Sequence, residues 1–150
     1  MMLRIVSALL AAGAVHAEFL HVEVFIRDMS CEACTQTLVA SFQKMKGVEH
    51  AATDFKEGTL LLDLGSGNRV GVDQVWDGIK RVGYTPGATK VTVRGVIKDG
   101  KLEVPEIGKT FEVEGVVISA LDQTVELKGT TAPPTDPRTP VRIRVVGSGK

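Results

Sequence analysis

Residues 48–67, VEHAATDFKEGTLLLDLGSG, contain two extended runs separated by the three residues KEG. The runs cover residues 48–55 and 59–64, and a short glycine-containing connection between such runs predicts a β-hairpin. A connection of this length joins antiparallel strands, because parallel strands need a crossover of a dozen or more residues. The stretch therefore predicts an antiparallel pair of strands within the N-terminal half of the chain.

A helix and a strand are predicted on each side of this hairpin. In residues 19–26 every second side chain belongs to a strongly apolar row, which is the pattern of a strand with one buried face. In residues 31–46 the apolar residues follow helical spacing instead. Apolar residues recur at helical spacing again within residues 72–82. A run rich in β-branched residues follows at residues 88–97. The order strand–helix–strand–strand–helix–strand predicts an α+β fold, with a ferredoxin-like βαββαβ domain over residues 18–94.

The rest of the chain, residues 95–150, is predicted to be a small all-β module. Four of the six prolines of the chain lie in residues 128–140, which predicts a loop because proline cannot continue a strand ladder. At about 55 residues the module would be marginally stable alone, so we expect it to pack on the first domain. Its strands are predicted around a turn at Asp99-Gly100 and at residues 109–120, 124–127 and 141–146.

The N-terminus, MMLRIVSALLAAGAVHA, has the layout of a secretory signal peptide. Arg4 precedes an apolar or small run that ends in small residues at Ala17. The run is shorter than the about 20 residues that a membrane-spanning helix needs. We therefore expect residues 1–17 to be a signal peptide, and the mature chain to be periplasmic or secreted and not membrane-spanning. The alternatives are a buried first helix and a membrane anchor.

The charge balance limits the classes of partner. Eighteen basic and eighteen acidic residues cancel, whereas a general nucleic-acid binder needs a basic surplus to neutralise phosphates. Five phenylalanines, one tyrosine and one tryptophan also offer few stacking platforms. A nucleic-acid partner is therefore not expected.

Both cysteines of the chain lie in RDMSCEACTQ, residues 27–36. Cys31 is predicted in the loop after the first strand and Cys34 in the first helical turn, where free amides and the helix dipole favour a thiolate. Two thiolates at this spacing can converge on one atom, and a low-coordinate sulfur site favours soft ions such as Cu(I). A closed zinc cage needs four ligands, and only His21 and His50 remain as further candidates in the mature chain. The spacing alone leaves a disulfide and a redox couple open.

The motif and its surroundings resemble the heavy-metal-associated domain over residues 19–94. The likeness is carried by MSCEAC between a strand and a helix, by the following KGVEHAATDFKEGTLLLDL, and by IKRVGYTP at the end of the second helix. The family includes copper chaperones, N-terminal domains of copper-transporting P-type ATPases and a periplasmic mercury-binding protein. The resemblance implies a non-enzymatic carrier of a soft metal, with Cu(I) first and Hg(II) or Zn(II) as alternatives. It also implies a metal-transporting ATPase or another metal-handling protein as partner.

The same resemblance assigns roles to individual residues. Cys31 and Cys34 are the implied metal ligands, and Met29 is the methionine of the family motif. We expect Met29 to anchor the loop in the core, with metal liganding as the alternative. Tyr84, in the Gly-Tyr pair after the second helix, is implied to lie near the metal loop. We expect it to shield the site, with tuning of the metal ligands through contact with them as the alternative. Asp28 stands where the family has glycine, which predicts a stiffer loop with an added negative charge.

Two other function classes compete with a metal carrier. A thiol-disulfide oxidoreductase would use the same CxxC, but a glutaredoxin-like arrangement needs a crossover to a parallel strand, which KEG is too short to provide. It also needs a cis-proline facing the cysteines, whereas Pro86, the proline of the first domain, follows the second helix. The third class is an adaptor, in which the β module binds a partner.

Overall fold

The computed structural model describes residues 16–115 and 124–149. The predicted signal peptide lies outside these residues apart from His16 and Ala17, so its removal and the export of the chain stay predictions. Within the part that is described, no helix combines the length and apolar character needed to cross a membrane.

The described residues contain both helices and strands, which confirms the predicted mixed α/β content. A short 3-10 turn, Pro105–Ile107, also separates two of the strands. The elements, in chain order, are β1 (Glu18–Ile26), α1 (Thr35–Gln43), β2 (Val48–Asp54), β3 (Thr59–Leu64), α2 (Val72–Val82), β4 (Pro86–Lys98), β5 (Lys101–Val104), β6 (Lys109–Glu114), β7 (Thr124–Thr131) and β8 (Arg142–Gly149).

The first four strands pair antiparallel in the order β2-β3-β1-β4. The hairpin predicted from KEG is the β2–β3 pair, in which Asp54 lies opposite Thr59 next to the turn. Alternation along β1 buries Val22 and Val24 completely, while His21 lies on the other, more open face. One face of this part of the sheet is therefore apolar and must be covered.

Both helices bury one side in the same core as the apolar row of β1. The two helices meet where Gly78 of α2 faces Phe42 of α1, and a Cβ at Gly78 would lie 3.0 Å from the Phe42 Cζ. The indole Nε1 of Trp76 donates a hydrogen bond to the Thr89 hydroxyl on β4 at 2.9 Å. Since Trp76 and Thr89 are both buried, this bond fixes α2 to the sheet and satisfies the one polar atom of the indole.

Strand β4 belongs to both halves of the molecule. One of its edges pairs with β1 as far as Arg94 and then with β5 from Val96 onward, while its other edge pairs with β7. The pairings of β5 with β6, β6 with β8 and β8 with β7 then close a five-stranded barrel in the order β4-β5-β6-β8-β7. Among the described pairings only β6–β8 is parallel. This connectivity is that of the oligonucleotide/oligosaccharide-binding barrel, although a topology by itself assigns no ligand.

The outer side of β5 and β6 carries charges of both signs. Glu103, Glu112 and Glu114 lie there beside Lys101, and the aromatic side chain of β6, Phe111, points into the core instead. Acidic groups repel phosphates, and a stacking surface needs exposed aromatic rings. This face of the barrel therefore carries acidic side chains, and the ring of Phe111 is not available on it for stacking.

Several predicted boundaries in the C-terminal half need correction. The predicted division between residues 94 and 95 falls inside β4, so β5–β8 continue the sheet of the first domain across an unbroken strand. Strand β7 extends beyond its predicted end to Thr131, because its last residues pair with β4. Strand β6 ends at Glu114, before Gly115 turns the chain with a φ of 117°, and the rest of the predicted strand, from residue 116, lies outside the described residues.

Candidate functional site

The two cysteines lie together in the loop that connects β1 to α1. Their Cα atoms are 5.2 Å apart, and the side chains are joined in a disulfide. Cys31 is half-buried and Cys34 is exposed. The helix begins at Thr35, so Cys34 occupies the N-cap position rather than the first turn, and the helix predicted over residues 31–46 is shorter at both ends.

A tight turn holds the two cysteines close to each other. The Cys34 amide donates a hydrogen bond to the Cys31 sulfur at 3.3 Å. The Thr35 hydroxyl donates to the Glu32 carbonyl at 2.6 Å, and the Thr53 hydroxyl on β2 donates to the Thr35 hydroxyl oxygen at 3.2 Å. Because the Thr35 side chain is fully buried, these bonds anchor the C-terminal end of the loop to the sheet.

The turn is suited to holding a thiolate once the disulfide is reduced. An amide that donates to sulfur favours the charged form of that sulfur, and the N-terminus of α1 adds a partial positive charge. In the disulfide, both sulfurs are bonded to each other and cannot act as thiolate ligands. Reduction is therefore required before this loop can bind a metal ion.

The other candidate ligands lie elsewhere on the sheet. His21 on β1 shares a hydrogen bond of 2.7 Å between its Nδ1 and the Asp63 Oδ1 on β3, and His50 on β2 pairs in register with the same aspartate. Within residues 16–115 and 124–149, no three histidine, cysteine or acidic side chains are grouped so that they could hold a metal ion. In the described part of the chain, neither histidine therefore joins the cysteine pair in a larger cluster of candidate ligands.

Met29 and Tyr84 are both half-buried and pack against the hydrophobic core. Met29 is in the position expected of a loop anchor. Tyr84 follows Gly83, whose φ of 104° ends α2, and the Tyr84 amide donates to the Ile79 carbonyl at 3.1 Å. Whether either side chain acts on a bound ion stays a prediction from the resemblance.

Sequence reasoning missed Thr85, which is the partner of Asp28. The Thr85 amide donates to the Asp28 Oδ1 at 2.9 Å, and its hydroxyl donates to Oδ2 at 3.1 Å. The Thr85 amide, helped by the Thr85 hydroxyl, holds the pKa of the Asp28 carboxyl below its usual value. The two residues are 57 positions apart, so no local pattern connects them. The single hint in the sequence is an aspartate at a position where glycine is expected.

The segment that contains the cysteine loop matches a known family model. Residues 23–73 match the model of the heavy-metal-associated domain, and the recognition of this domain from the sequence is confirmed over these residues. The matched segment includes both cysteines and ends at the start of α2, so Tyr84 and β4 lie outside it.

Solved structures similar to this chain include copper-binding proteins. One is described as the CopZ metallochaperone, with 23% identity, a TM-score of 0.41, and coverage of 44% of this chain and 97% of that chain. Another is the N-terminal domain of a potential copper-translocating P-type ATPase from Bacillus subtilis in the Cu(I)-loaded state, with 21% identity, a TM-score of 0.40, and coverage of 47% and 84%.

A third similar structure is a putative copper-ion-binding protein from Bacillus anthracis str. Ames. It has 26% identity and a TM-score of 0.39, and the alignment covers 49% of this chain and 99% of that chain. No curated protein matches the chain.

Proposed function

We propose that this chain, which contains a heavy-metal-associated domain at residues 23–73, carries or sequesters a soft metal ion between Cys31 and Cys34. The observation that carries the proposal is the pair itself: two sulfurs are held together in a partly exposed turn at the N-terminus of α1. The proposed cargo is Cu(I), with Hg(II) second, because both are soft ions that accept two sulfur ligands. Zn(II) is disfavoured, since a stable structural zinc site takes four ligands.

The proposed mechanism is ligand exchange and involves no catalysis by the protein. A dithiol reductant gives two electrons and two protons to the Cys31–Cys34 disulfide and is itself oxidised to a disulfide. The two thiols that are released lose their protons when they bind the ion. Because only two ligands surround the ion, a thiolate of a partner can add to it before either cysteine leaves. A metal-transporting ATPase or another metal-handling protein is the proposed partner.

The topology supports reading residues 18–94 as a ferredoxin-like domain. The elements β1-α1-β2-β3-α2-β4 follow one another in that order, and the four strands pair antiparallel as β2-β3-β1-β4. In this arrangement the cysteine loop and the Tyr84 turn lie at the same end of the sheet, because β1 ends where β4 begins. Residues 95–150 are the proposed second unit, whose described strands β5–β8 close the barrel together with β4. Export after removal of residues 1–17 is the proposed route to the periplasm or the medium.

The test is metal binding by the reduced protein. We expect about one Cu(I) per chain, measured by competition with a colorimetric Cu(I) chelator under anaerobic conditions, because the site offers one pair of thiolates. The variant Cys31→Ser/Cys34→Ser should bind none. Equal Cu(I) binding by the variant would show that the site is elsewhere, and competition by Hg(II) and Zn(II) would rank the three ions.

A thiol-disulfide oxidoreductase remains a second candidate because the cysteines form a disulfide. Such an enzyme would transfer two electrons to a substrate disulfide and be left with its own Cys31–Cys34 bond. The discriminating assay is the reduction of insulin by the reduced protein with a dithiol as electron donor. Turnover that depends on both cysteines would favour the oxidoreductase, and no turnover above the dithiol alone would favour the carrier.

A further inference from the structure

The N-terminal end of the cysteine loop is held by a set of contacts between two neighbouring segments. The Arg27 amide donates to the Thr85 carbonyl at 3.1 Å, and the Thr85 amide and hydroxyl both donate to the Asp28 carboxylate at 2.9 and 3.1 Å. These three hydrogen bonds continue the pairing of β1 with β4 beyond its last register pair, Ile26 with Pro86. We call the bonds between Asp28 and Thr85 the loop clasp.

The loop clasp complements the anchor at the opposite end of the loop. At that end, buried Thr35 bonds to the Glu32 carbonyl and to Thr53 on β2. Cys31 lies between the two fixed points, three residues after Asp28. A glycine at position 28 has no side chain with which to reach Thr85, so its loop would be held at the Thr35 end and by backbone contacts alone.

We propose that Asp28 is a positioning residue for metal exchange, which acts by tying the cysteine loop to the turn that carries Tyr84. This proposal rests on the proposed metal-carrying function and names a residue that controls it. Tyr84 directly precedes Thr85 and packs against the core, so the clasp joins the loop to a fixed part of the molecule. A clasped loop has fewer conformations to lose when the thiolates bind an ion, which favours retention of the ion.

Variants at both partners separate geometry from charge. Asp28→Asn removes the charge but keeps an oxygen that accepts from the Thr85 amide, and its amide group can donate to the Thr85 hydroxyl oxygen. Asp28→Ala removes the charge and the clasp together, and Thr85→Val removes one of the two bonds. Asp136→Ala is the matched control, because Asp136 is also an exposed aspartate whose carboxylate accepts hydrogen bonds from its neighbour, Arg138.

The experiment measures the transfer of Cu(I) from each reduced, loaded protein to a chromophoric chelator by stopped flow. It also measures amide hydrogen exchange at Thr85 and through the cysteine loop without metal. We expect Asp28→Ala to raise the transfer rate and the exchange rate of the Thr85 amide about three- to tenfold, because it removes both hydrogen bonds of the clasp, and hydrogen bonds at an exposed position each contribute only modestly. Thr85→Val should fall between Asp28→Ala and the wild type, while Asp28→Asn and Asp136→Ala should stay within about twofold of the wild type.

Two results would overturn the role of Asp28. Transfer from Asp28→Ala at the wild-type rate would show that the clasp does not control exchange. Equal acceleration in Asp28→Asn and Asp28→Ala would assign the effect to charge rather than to positioning. A wild-type protein that binds no Cu(I) when reduced would instead contradict the proposed function, so the two failures are distinguishable. Circular dichroism of each variant checks that the fold is intact.

Discussion

The ring of Phe19 on β1 packs edge-on against the ring of Phe111 on β6, with centroids 5.5 Å apart and an interplanar angle of 88°. Phe19 belongs to the part of the chain with the cysteine loop, and Phe111 belongs to the barrel. Both side chains are almost fully buried, with exposures of 1% and 3%. The two units therefore share one apolar core as well as the strand β4.

We expect Phe111→Ala to destabilise the whole protein by about 3–5 kcal/mol, the usual cost of removing a buried phenylalanine. Urea unfolding can be followed by the fluorescence of Trp76, the only tryptophan, and by far-UV circular dichroism. Since Trp76 lies in the first unit, both transitions should shift together. Val146→Ala is the control, because the Val146 side chain is 71% exposed and its loss should cost less than about 0.5 kcal/mol. A CD transition that moves while the Trp76 transition stays would contradict a shared core.

A second prediction concerns the closure of the barrel at Gly129 on β7. A Cβ at this position would lie 2.6 Å from the Ile143 Cγ2 and 2.7 Å from the Arg144 carbonyl oxygen. Because the carbonyl is backbone and cannot move aside alone, Gly129→Ala should destabilise the protein by about 1–3 kcal/mol. Gly147→Ala on β8 is the matched control, since a Cβ there would meet nothing within 4 Å. Denaturant midpoints measure both variants, and equal stability would show that the barrel does not close this tightly at Gly129.

A third prediction concerns reduction of the Cys31–Cys34 disulfide. The bond spans a sequence separation of 3, so it removes little conformational entropy from the unfolded chain. Reduction should lower the free energy of unfolding by about 2 kcal/mol or less, leaving a folded protein that is ready to bind metal. The measurement is urea unfolding with and without reductant, and Cys31→Ser/Cys34→Ser should not respond to the reductant. Unfolding on reduction alone would mean that the pair is primarily a structural bridge.

A fourth prediction concerns acid titration of the loop clasp. The Thr85 amide, and then its hydroxyl, hold the pKa of Asp28 below its ordinary value of 3.8. For a carboxyl whose pKa is lower in the folded state, the stabilising contribution is fully present above the unfolded pKa and is lost as the pH falls through the folded pKa. The clasp should therefore persist at neutral and mildly acidic pH and break only below about pH 3.8.

The titration can be followed by NMR at the Asp28 carboxyl carbon and at the Thr85 amide, which should report the same midpoint. In Thr85→Val the Asp28 midpoint should rise only part of the way to its ordinary value, because the amide, which is the larger cause of the shift, is retained. A midpoint at or above the ordinary value in the wild type would argue against the clasp in solution.

Local sequence patterns predicted most of the first unit. The alternation of apolar residues predicted β1, the KEG turn predicted the β2–β3 hairpin, and Gly83 predicted the end of α2. Each of these features depends only on residues that are neighbours in the chain. The start of α1 was placed too early, since residues 32–34 form a turn that Thr35 holds by its hydroxyl. In the second half the extent of β7 was underestimated, because its last residues are strand only through pairing with β4.

The sequence by itself determined the features on which the proposed metal binding rests: two cysteines at a spacing that lets both sulfurs reach one atom, within a segment that matches a heavy-metal-associated domain. Only the tertiary structure decided how that loop is held and what the C-terminal residues build. The Asp28–Thr85 clasp and the closure of the barrel through β4 and β7 join residues far apart in the chain. Such contacts depend on the geometry of the assembled sheet, which no local periodicity encodes.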